Sequence, residues 1–247
     1  MKIFIALLLI YAGLYSYSQE RLCDAYLDEE SGYFICINPA GNNIIMTDNY
    51  SGSLYRISDG NLETMITSPG CGRYYSVSPD GKFIGFKMIK DGMQAPSLYN
   101  IESGTVSLLM EPVPLCGQVY FSGNNDIIFS AGNTLRLISD DVTRIIDIGT
   151  YSNITPVSPD GKSVVYSTPD DELVLMDLQT EEKTIISGEG RMSVYPQWSP
   201  DGTMILFQSG NMFLYNVTTG MITDLGAGLG PRWSPGSENI VFYRTET

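Results

Sequence analysis

A short turn motif recurs six times along the chain and limits the folds that are open to it. Three copies read Ser-Pro-Asp-Gly behind a valine or tryptophan, and three are degenerate; successive copies are 35 to 44 residues apart. A period near 40 residues is typical of arrays in which one unit of structure repeats. The six copies are Ile37–Gly41, Val77–Lys82, Phe121–Asn125, Val157–Lys162, Trp198–Thr203 and Trp233–Ser237.

Short apolar runs follow each turn and predict strands. The first run of a repeat, such as Ile127–Phe129, Val164–Tyr166 or Ile205–Phe207, does not alternate between apolar and polar residues. Such runs predict strands that are buried on both faces, as in sheets packed face to face. Two further runs follow. Together with the inner strand that leads into the turn, they bring each repeat to four strands, which is the content of one propeller blade. The sequence therefore predicts an all-β fold, a six-bladed β-propeller of four-stranded antiparallel blades.

The last repeat is incomplete, because the chain ends at Thr247 after only two predicted strands. Residues 21–27 have the composition of a strand and are expected to add to this blade and close the ring. Closure of that kind removes an open sheet edge. The closing blade would still be one strand short of four.

The Ser-Pro-Asp-Gly segment is predicted to be a structural turn rather than a site. Proline fixes φ, aspartate bonds back to the backbone, and glycine accepts a positive φ. A functional site would not need to recur in every repeat.

Composition excludes several classes of function. The chain contains no histidine, so Ser-His-Asp and Cys-His pairs and imidazole-based zinc sites are impossible. Its net charge of −14 disfavours binding to nucleic acid. Adjacent carboxylates such as Asp140 and Asp141 lie in predicted turns, where solvated charge is the ordinary outcome. No catalytic constellation, metal site or cofactor is predicted.

The first 18 residues are predicted to be a secretory signal peptide. Lys2 precedes an apolar run from Ile3 to Leu14, and small residues follow up to Ser18. Twelve apolar residues are too few for a membrane-spanning helix, although a membrane anchor or a buried helix are the alternatives. Residues 19–247 then form a single propeller domain, periplasmic or secreted and expected to be a monomer, without a transmembrane segment.

Export makes disulfides possible among the four cysteines. We favour Cys71 with Cys116, since both precede a predicted inner strand and both are followed by glycine. Cys23 could then pair with Cys36. The alternative is that these residues are buried free thiols.

Basic and aromatic residues gather where a partner would bind. Arg73 and Tyr74 precede the inner strand of the second blade, and Tyr195 and Arg232 hold comparable positions in later blades. The second blade also has the longest connections on that face, residues 87–96 and 110–117. Tyrosine and arginine are favoured at binding hot spots, so these four residues are the candidate site. The alternative is that they are ordinary solubilising residues of loops.

The Ser-Pro-Asp-Gly repeats resemble those of TolB-like propellers, a group similar to WD-repeat propellers, over about residues 33–243. The resemblance implies a propeller and a non-catalytic scaffold that binds a protein or peptide in the cell envelope. The separate N-terminal domain of TolB has no counterpart in the chain. The alternative function is a metal-dependent lactone or sugar hydrolase, because lactonase-type propellers hold calcium with Glu, Asn and Asp.

Overall fold

The computed structural model describes residues 37–40, 43–48, 51–58, 61–140, 142–187, 193–234 and 236–243, and every regular element in these ranges is a β-strand. The strands form six antiparallel sheets. The first three sheets are β1 (Ile37–Ala40), β2 (Asn43–Thr47), β3 (Ser53–Ser58) and β4 (Asn61–Thr67); β5 (Tyr75–Val77), β6 (Phe83–Lys90), β7 (Met93–Asn100) and β8 (Val106–Leu108); and β9 (Tyr120–Phe121), β10 (Ile127–Ala131), β11 (Thr134–Ser139) and β12 (Val142–Asp147). The remaining three are β13 (Ser163–Ser167), β14 (Leu173–Asp177) and β15 (Lys183–Ile185); β16 (Val194–Trp198), β17 (Met204–Ser209), β18 (Asn211–Asn216) and β19 (Ile222–Gly226); and β20 (Leu229–Trp233) and β21 (Ile240–Tyr243).

Each sheet takes its strands in chain order, as a series of hairpins. The predicted four strands per repeat are confirmed for the first, second, third and fifth sheets. The fourth sheet has three named strands, and an isolated bridge from Val157 to Val164 occupies its inner position. The sixth sheet has two strands in the described residues.

The core lies between neighbouring sheets. Ile45 and Leu54 of the first sheet pack with Ile84 and Phe86 of the second, all fully buried. Equivalent clusters join the third sheet to the fourth and the fourth to the fifth. In the second, third and fourth sheets the non-alternating runs are buried on both faces, as predicted, because a sheet packs on either side of each. In the sixth sheet, by contrast, Val241 is 57% exposed and Phe242 is 37% exposed.

The Ser-Pro-Asp-Gly segments are structural turns with one shared hydrogen-bond pattern. In each complete copy the serine hydroxyl donates to the aspartate, whose Oδ1 also accepts the backbone N–H two residues further on. The Ser-to-Asp distances are 2.7 Å for Ser78–Asp80, 2.6 Å for Ser158–Asp160 and 2.6 Å for Ser199–Asp201. The glycines that follow have φ of 71° to 74°, which glycine adopts without strain.

Turns of successive sheets also bond to each other, which explains the degenerate copies. The Asp80 N–H donates to Asn125 Oδ1 at 3.3 Å, and the Asp201 N–H donates to Ser237 Oγ at 2.9 Å. The Gly123 N–H donates to the Pro159 carbonyl at 2.8 Å. Two degenerate copies thus supply side-chain acceptors, Asn125 and Ser237, to complete copies, and the copy that contains Asn125 also donates the Gly123 N–H to a complete copy.

The turn aspartates predict how stability depends on pH. For Asp80 and Asp160, burial alone would raise the pKa, but the serine hydroxyl and the following backbone N–H outweigh it and lower the pKa. The same hydrogen bonds lower the pKa of Asp201. A carboxyl with a lowered folded pKa stabilises the fold above its unfolded pKa, and this contribution is lost as the pH falls through the folded value.

We therefore expect the free energy of unfolding, measured in urea, to fall as the pH drops below the unfolded aspartate pKa of about 4. Replacing all three aspartates by asparagine should lower stability at neutral pH and flatten this slope. A control variant with Glu102→Gln and Glu111→Gln should keep the slope of the wild type. An unchanged slope in the triple variant would contradict the assignment.

Cys71 and Cys116 do not form the predicted disulfide: both thiols are free and buried. Cys71 packs in the cluster of Ile45 and Leu54, while the backbone of Cys116 bridges Ala131 of the third sheet. The two residues therefore pack against different sheets, although their positions in the sequence are similar. Burial raises the pKa of both thiols, to about 11 for Cys116. The alternative expectation, buried free thiols, describes them.

Several predictions concern residues outside the described ranges. They are the signal peptide at residues 1–18, the closing strand at 21–27 and the pairing of Cys23 with Cys36. All three remain predictions.

Candidate binding site

The longest connections of the second repeat lie on the side of the sheets opposite the Ser-Pro-Asp-Gly turns. This side, called here the connecting side, carries the hairpin between the second and third strands of a sheet and the connection to the next sheet. Residues 87–96, expected to be a loop, instead extend β6 and β7 into a hairpin that turns at Asp91 and Gly92. Both turn residues have positive φ, 51° and 75°, which suits a two-residue hairpin turn.

The hairpin holds the connection that leads to the third sheet. Gln94 and Val113 exchange two backbone hydrogen bonds, of 2.7 and 2.8 Å, and Gln94 Oε1 accepts the Cys116 N–H at 2.9 Å. Gly117 packs so closely that a Cβ there would stand 2.9 Å from the Asn153 carbonyl oxygen. The backbones at 116–117 and 152–153 are therefore fixed side by side.

Lys87 lies at the centre of this arrangement. It comes from β6 and is only 9% exposed. Its Nζ donates to the Cys116 carbonyl at 2.8 Å and to Asn153 Oδ1 at 2.9 Å, and lies 5.2 Å from the centre of the Tyr74 ring. Burial lowers the pKa of Lys87, the Cys116 thiol acts in the opposite direction, and the charge of Arg73 lowers it further.

Tyr151 completes the surroundings of Lys87, and a second tyrosine, Tyr120, bonds to the neighbouring Gln118. The Tyr151 hydroxyl donates to the Cys116 carbonyl at 3.0 Å and to Asn153 Oδ1 at 3.1 Å, so it shares both acceptors of the lysine. Burial raises the pKa of Tyr151 to about 12, so its hydroxyl keeps its proton. The Tyr120 hydroxyl donates to Gln118 Oε1 at 3.0 Å.

The structure brings together two of the four predicted site residues. The Arg73 guanidinium carbon lies 5.4 Å from the centre of the Tyr74 ring, so Arg73 and Lys87 both contact one aromatic side chain. Arg232 is exposed and donates to the Pro231 carbonyl at 2.9 Å. Burial raises the pKa of Tyr120, Tyr74 raises it further, and the charge of Arg232 lowers it. Arg232 and Tyr74 therefore act on the same phenol.

Tyr195, the fourth predicted residue, has a distinctive backbone conformation. It is 55% exposed and has φ of 55°, in the left-handed region that bulky residues rarely adopt. The equivalent position in the next sheet is Gly230, with φ of 58°, and a proline follows in both cases. Both positions fall within register shifts, between Val194 and Gln197 and between Leu229 and Arg232.

Lys87 begins the connection 87–96 but was not among the predicted site residues. Asn153, Gln118 and Tyr151 were not predicted either. The one available signal was a lysine that follows the apolar run Phe83–Phe86 directly. The acceptors could not be found from the sequence, because they come from connections 29 and 66 residues further along the chain.

In the part of the chain that the structure describes, no three His, Cys, Asp or Glu side chains are grouped so that they could hold a metal ion. The described ranges also contain no helix that could cross a membrane.

Comparison with known proteins defines the fold. No protein-family profile and no characterised protein sequence matches the chain. Among solved structures, TolB from Acinetobacter baumannii matches with a TM-score of 0.61 and 18% identity, over 84% of this chain and 56% of TolB. The chain thus spans little more than half the length of that protein.

Two further structures match at 12% identity. A chain of the mitotic checkpoint complex has a TM-score of 0.68, with 96% of this chain and 81% of that chain covered. Oligogalacturonate lyase in complex with manganese has a TM-score of 0.64, with 83% and 71% covered. Likeness at this level of identity concerns the fold, and the chain has the fold of TolB-like β-propellers.

Proposed function

We propose that the chain is an exported, monomeric, six-bladed β-propeller that binds a protein or peptide of the cell envelope through its connecting side. Arg73, Tyr74, Tyr195 and Arg232 would make the contacts, and no catalysis is involved. In this proposal residues 21–27 pair with the sixth sheet and close the ring.

The observation that carries the proposal is the backbone conformation of Tyr195 together with its exposure to solvent. A tyrosine in the left-handed region costs free energy that glycine, at the equivalent position 230, does not cost. Strained residues of this kind cluster at functional sites. Tyr195 is also more than half exposed, so packing against the core does not account for a tyrosine at this position. Binding to a partner would account for both features.

The surrounding charges support the same surface. The chain carries a net charge of −14, yet Arg73, Lys87 and Arg232 act on neighbouring tyrosines of the connecting side. A local basic patch on an acidic body would orient an acidic partner and speed its encounter, and added salt should weaken this effect. Of the similar structures, the checkpoint chain is part of a complex, which fits a scaffold.

We expect crosslinking in the native envelope, followed by affinity purification, to recover a partner. The quadruple variant with alanine at Arg73, Tyr74, Tyr195 and Arg232 should bind that partner at least about thirtyfold more weakly, because a single hot spot typically contributes about 2 kcal/mol or more. A control variant with Lys82→Ala and Lys162→Ala, on the opposite side, should bind like the wild type. Equal binding by a folded quadruple variant would show that the proposed face is wrong.

A metal-dependent lactone or sugar hydrolase is the second candidate, favoured by the likeness to the manganese-bound lyase. The described residues offer no group of three acidic or sulfur ligands, so this function would require a different donor set. A rise in melting temperature on addition of calcium or manganese, together with hydrolysis that depends on the metal, would favour it.

A further inference from the structure

Two cations share the Tyr74 ring, and no carboxylate among the described residues forms an ion pair with either of them. The ion pairs among the described residues engage Arg56, Lys82, Arg144 and Lys162, and none of them involves Arg73 or Lys87. The face of an aromatic ring attracts cations, so Tyr74 offsets part of the repulsion between the two side chains. The cluster still keeps a net positive charge in a strongly acidic chain.

The two cations differ in how they can act. Lys87 is buried and held by two acceptors, so its amino group cannot swing out to meet a ligand. Arg73 is exposed, and its planar guanidinium presents donors in the geometry that matches a carboxylate with two parallel hydrogen bonds. Lys87 thus supplies a fixed charge beside the ring, and Arg73 supplies the donors.

We propose that Arg73, Tyr74 and Lys87 form a carboxylate-binding site, which receives an acidic side chain or the chain terminus of a peptide partner. This inference rests on the proposed function and specifies the chemistry of the partner. Arg73 contacts the carboxylate directly, Tyr74 keeps the guanidinium in place, and Lys87 adds attraction without moving. A peptide is the expected ligand rather than a polyanionic sugar, because arginine and tyrosine are the residue types favoured at protein-binding hot spots.

The test is fluorescence anisotropy of the full chain with a labelled tetraglutamate peptide whose C-terminus is amidated, at low ionic strength. Tetraglutamine with the same label is the neutral control. We expect tetraglutamate to bind, and Arg73→Gln to weaken it about tenfold, the effect of losing one charge-assisted pair. Lys90→Gln is the matched control, since it removes one charge from the exposed end of the same hairpin, and it should change affinity less than about twofold.

Lys87→Met should weaken binding as well, without any loss of the donors on Arg73. If this buried substitution prevents folding, as judged by the melting temperature, Arg73→Gln decides the matter alone, because Arg73 is exposed. Equal binding of tetraglutamine, or equal weakening by Lys90→Gln and Arg73→Gln, would overturn the site. An oligogalacturonate that binds through Arg73 while tetraglutamate does not would overturn the choice of a peptide.

The outcome is separable from that of the proposed function. If envelope crosslinking recovers a partner that depends on Tyr195 and Arg232 while tetraglutamate fails to bind, only the carboxylate site is wrong. If tetraglutamate binds through Arg73 while the quadruple variant keeps its envelope partner, the carboxylate site stands and the proposed binding face for that partner falls.

Discussion

Replacing Gly117 with alanine is expected to lower the free energy of unfolding by about 3 kcal/mol, at the upper end of what overpacking a tight site usually costs. The new Cβ would contact Ser130 Oγ and would stand 2.9 Å from the Asn153 carbonyl oxygen and 3.0 Å from that of Ser152. Two of these three atoms belong to the backbone and cannot rotate away. Urea denaturation monitored by tryptophan fluorescence measures the effect.

The same substitution should also weaken partner binding, because it pushes apart the two segments that supply the acceptors of Lys87, the Cys116 carbonyl and Asn153 Oδ1. Gly52→Ala is the matched control: among the described residues, its Cβ would meet only Asp48 Oδ2, at 3.9 Å. That variant should stay within about 0.5 kcal/mol of the wild type. A Gly117→Ala protein as stable as the Gly52→Ala protein would show that the close packing at residue 117 is wrong.

Replacing Tyr195 with glycine is expected to stabilise the protein while it abolishes most partner binding. Relief of the left-handed conformation should return about 1–2 kcal/mol, and the greater freedom of glycine in the unfolded chain should offset about 0.5–1 kcal/mol of that gain. Loss of the exposed ring should weaken binding about thirtyfold, as for a typical hot spot. Such an exchange of stability for function is common at binding sites.

Tyr195→Ala separates the two effects. Alanine removes the ring but keeps a Cβ in the left-handed region, so it should lose binding like glycine and gain no stability. The reverse change, Gly230→Ala, should destabilise by about 1 kcal/mol, since it introduces the same conflict in the next sheet. If Tyr195→Gly is no more stable than Tyr195→Ala, the backbone at this position is not strained.

The architecture was predictable because it depends on local chemistry that the chain repeats. A turn in which serine, aspartate and glycine each satisfy a defined need can be read from four residues, and the strands that follow are marked by their apolar content. The site was predictable only in part. Arg73 and Tyr74 are neighbours in sequence, so their shared environment was foreseeable, whereas Asn153 reaches Lys87 across 66 residues.

The cysteines show where reasoning from repeats fails. Cys71-Gly72 and Cys116-Gly117 look equivalent in the sequence, and their similarity suggested a bridge. In the structure each glycine serves a close approach to a different neighbour, Thr47 for Gly72 and Ser130 for Gly117. Similar local sequence fixed similar local packing, but it did not bring the two thiols together.

The sequence by itself determined the all-β class, the repeating turns and the acidic charge, because each of these depends on residue type and spacing along the chain. Tertiary structure decided which cations meet at Tyr74, which carbonyls hold Lys87, and that Tyr195 occupies a backbone conformation suited to glycine. The physical reason is that these features depend on how successive sheets pack. A contact between a side chain of one sheet and a group of another sheet leaves no pattern in the sequence of either sheet, so it cannot be predicted from residue spacing.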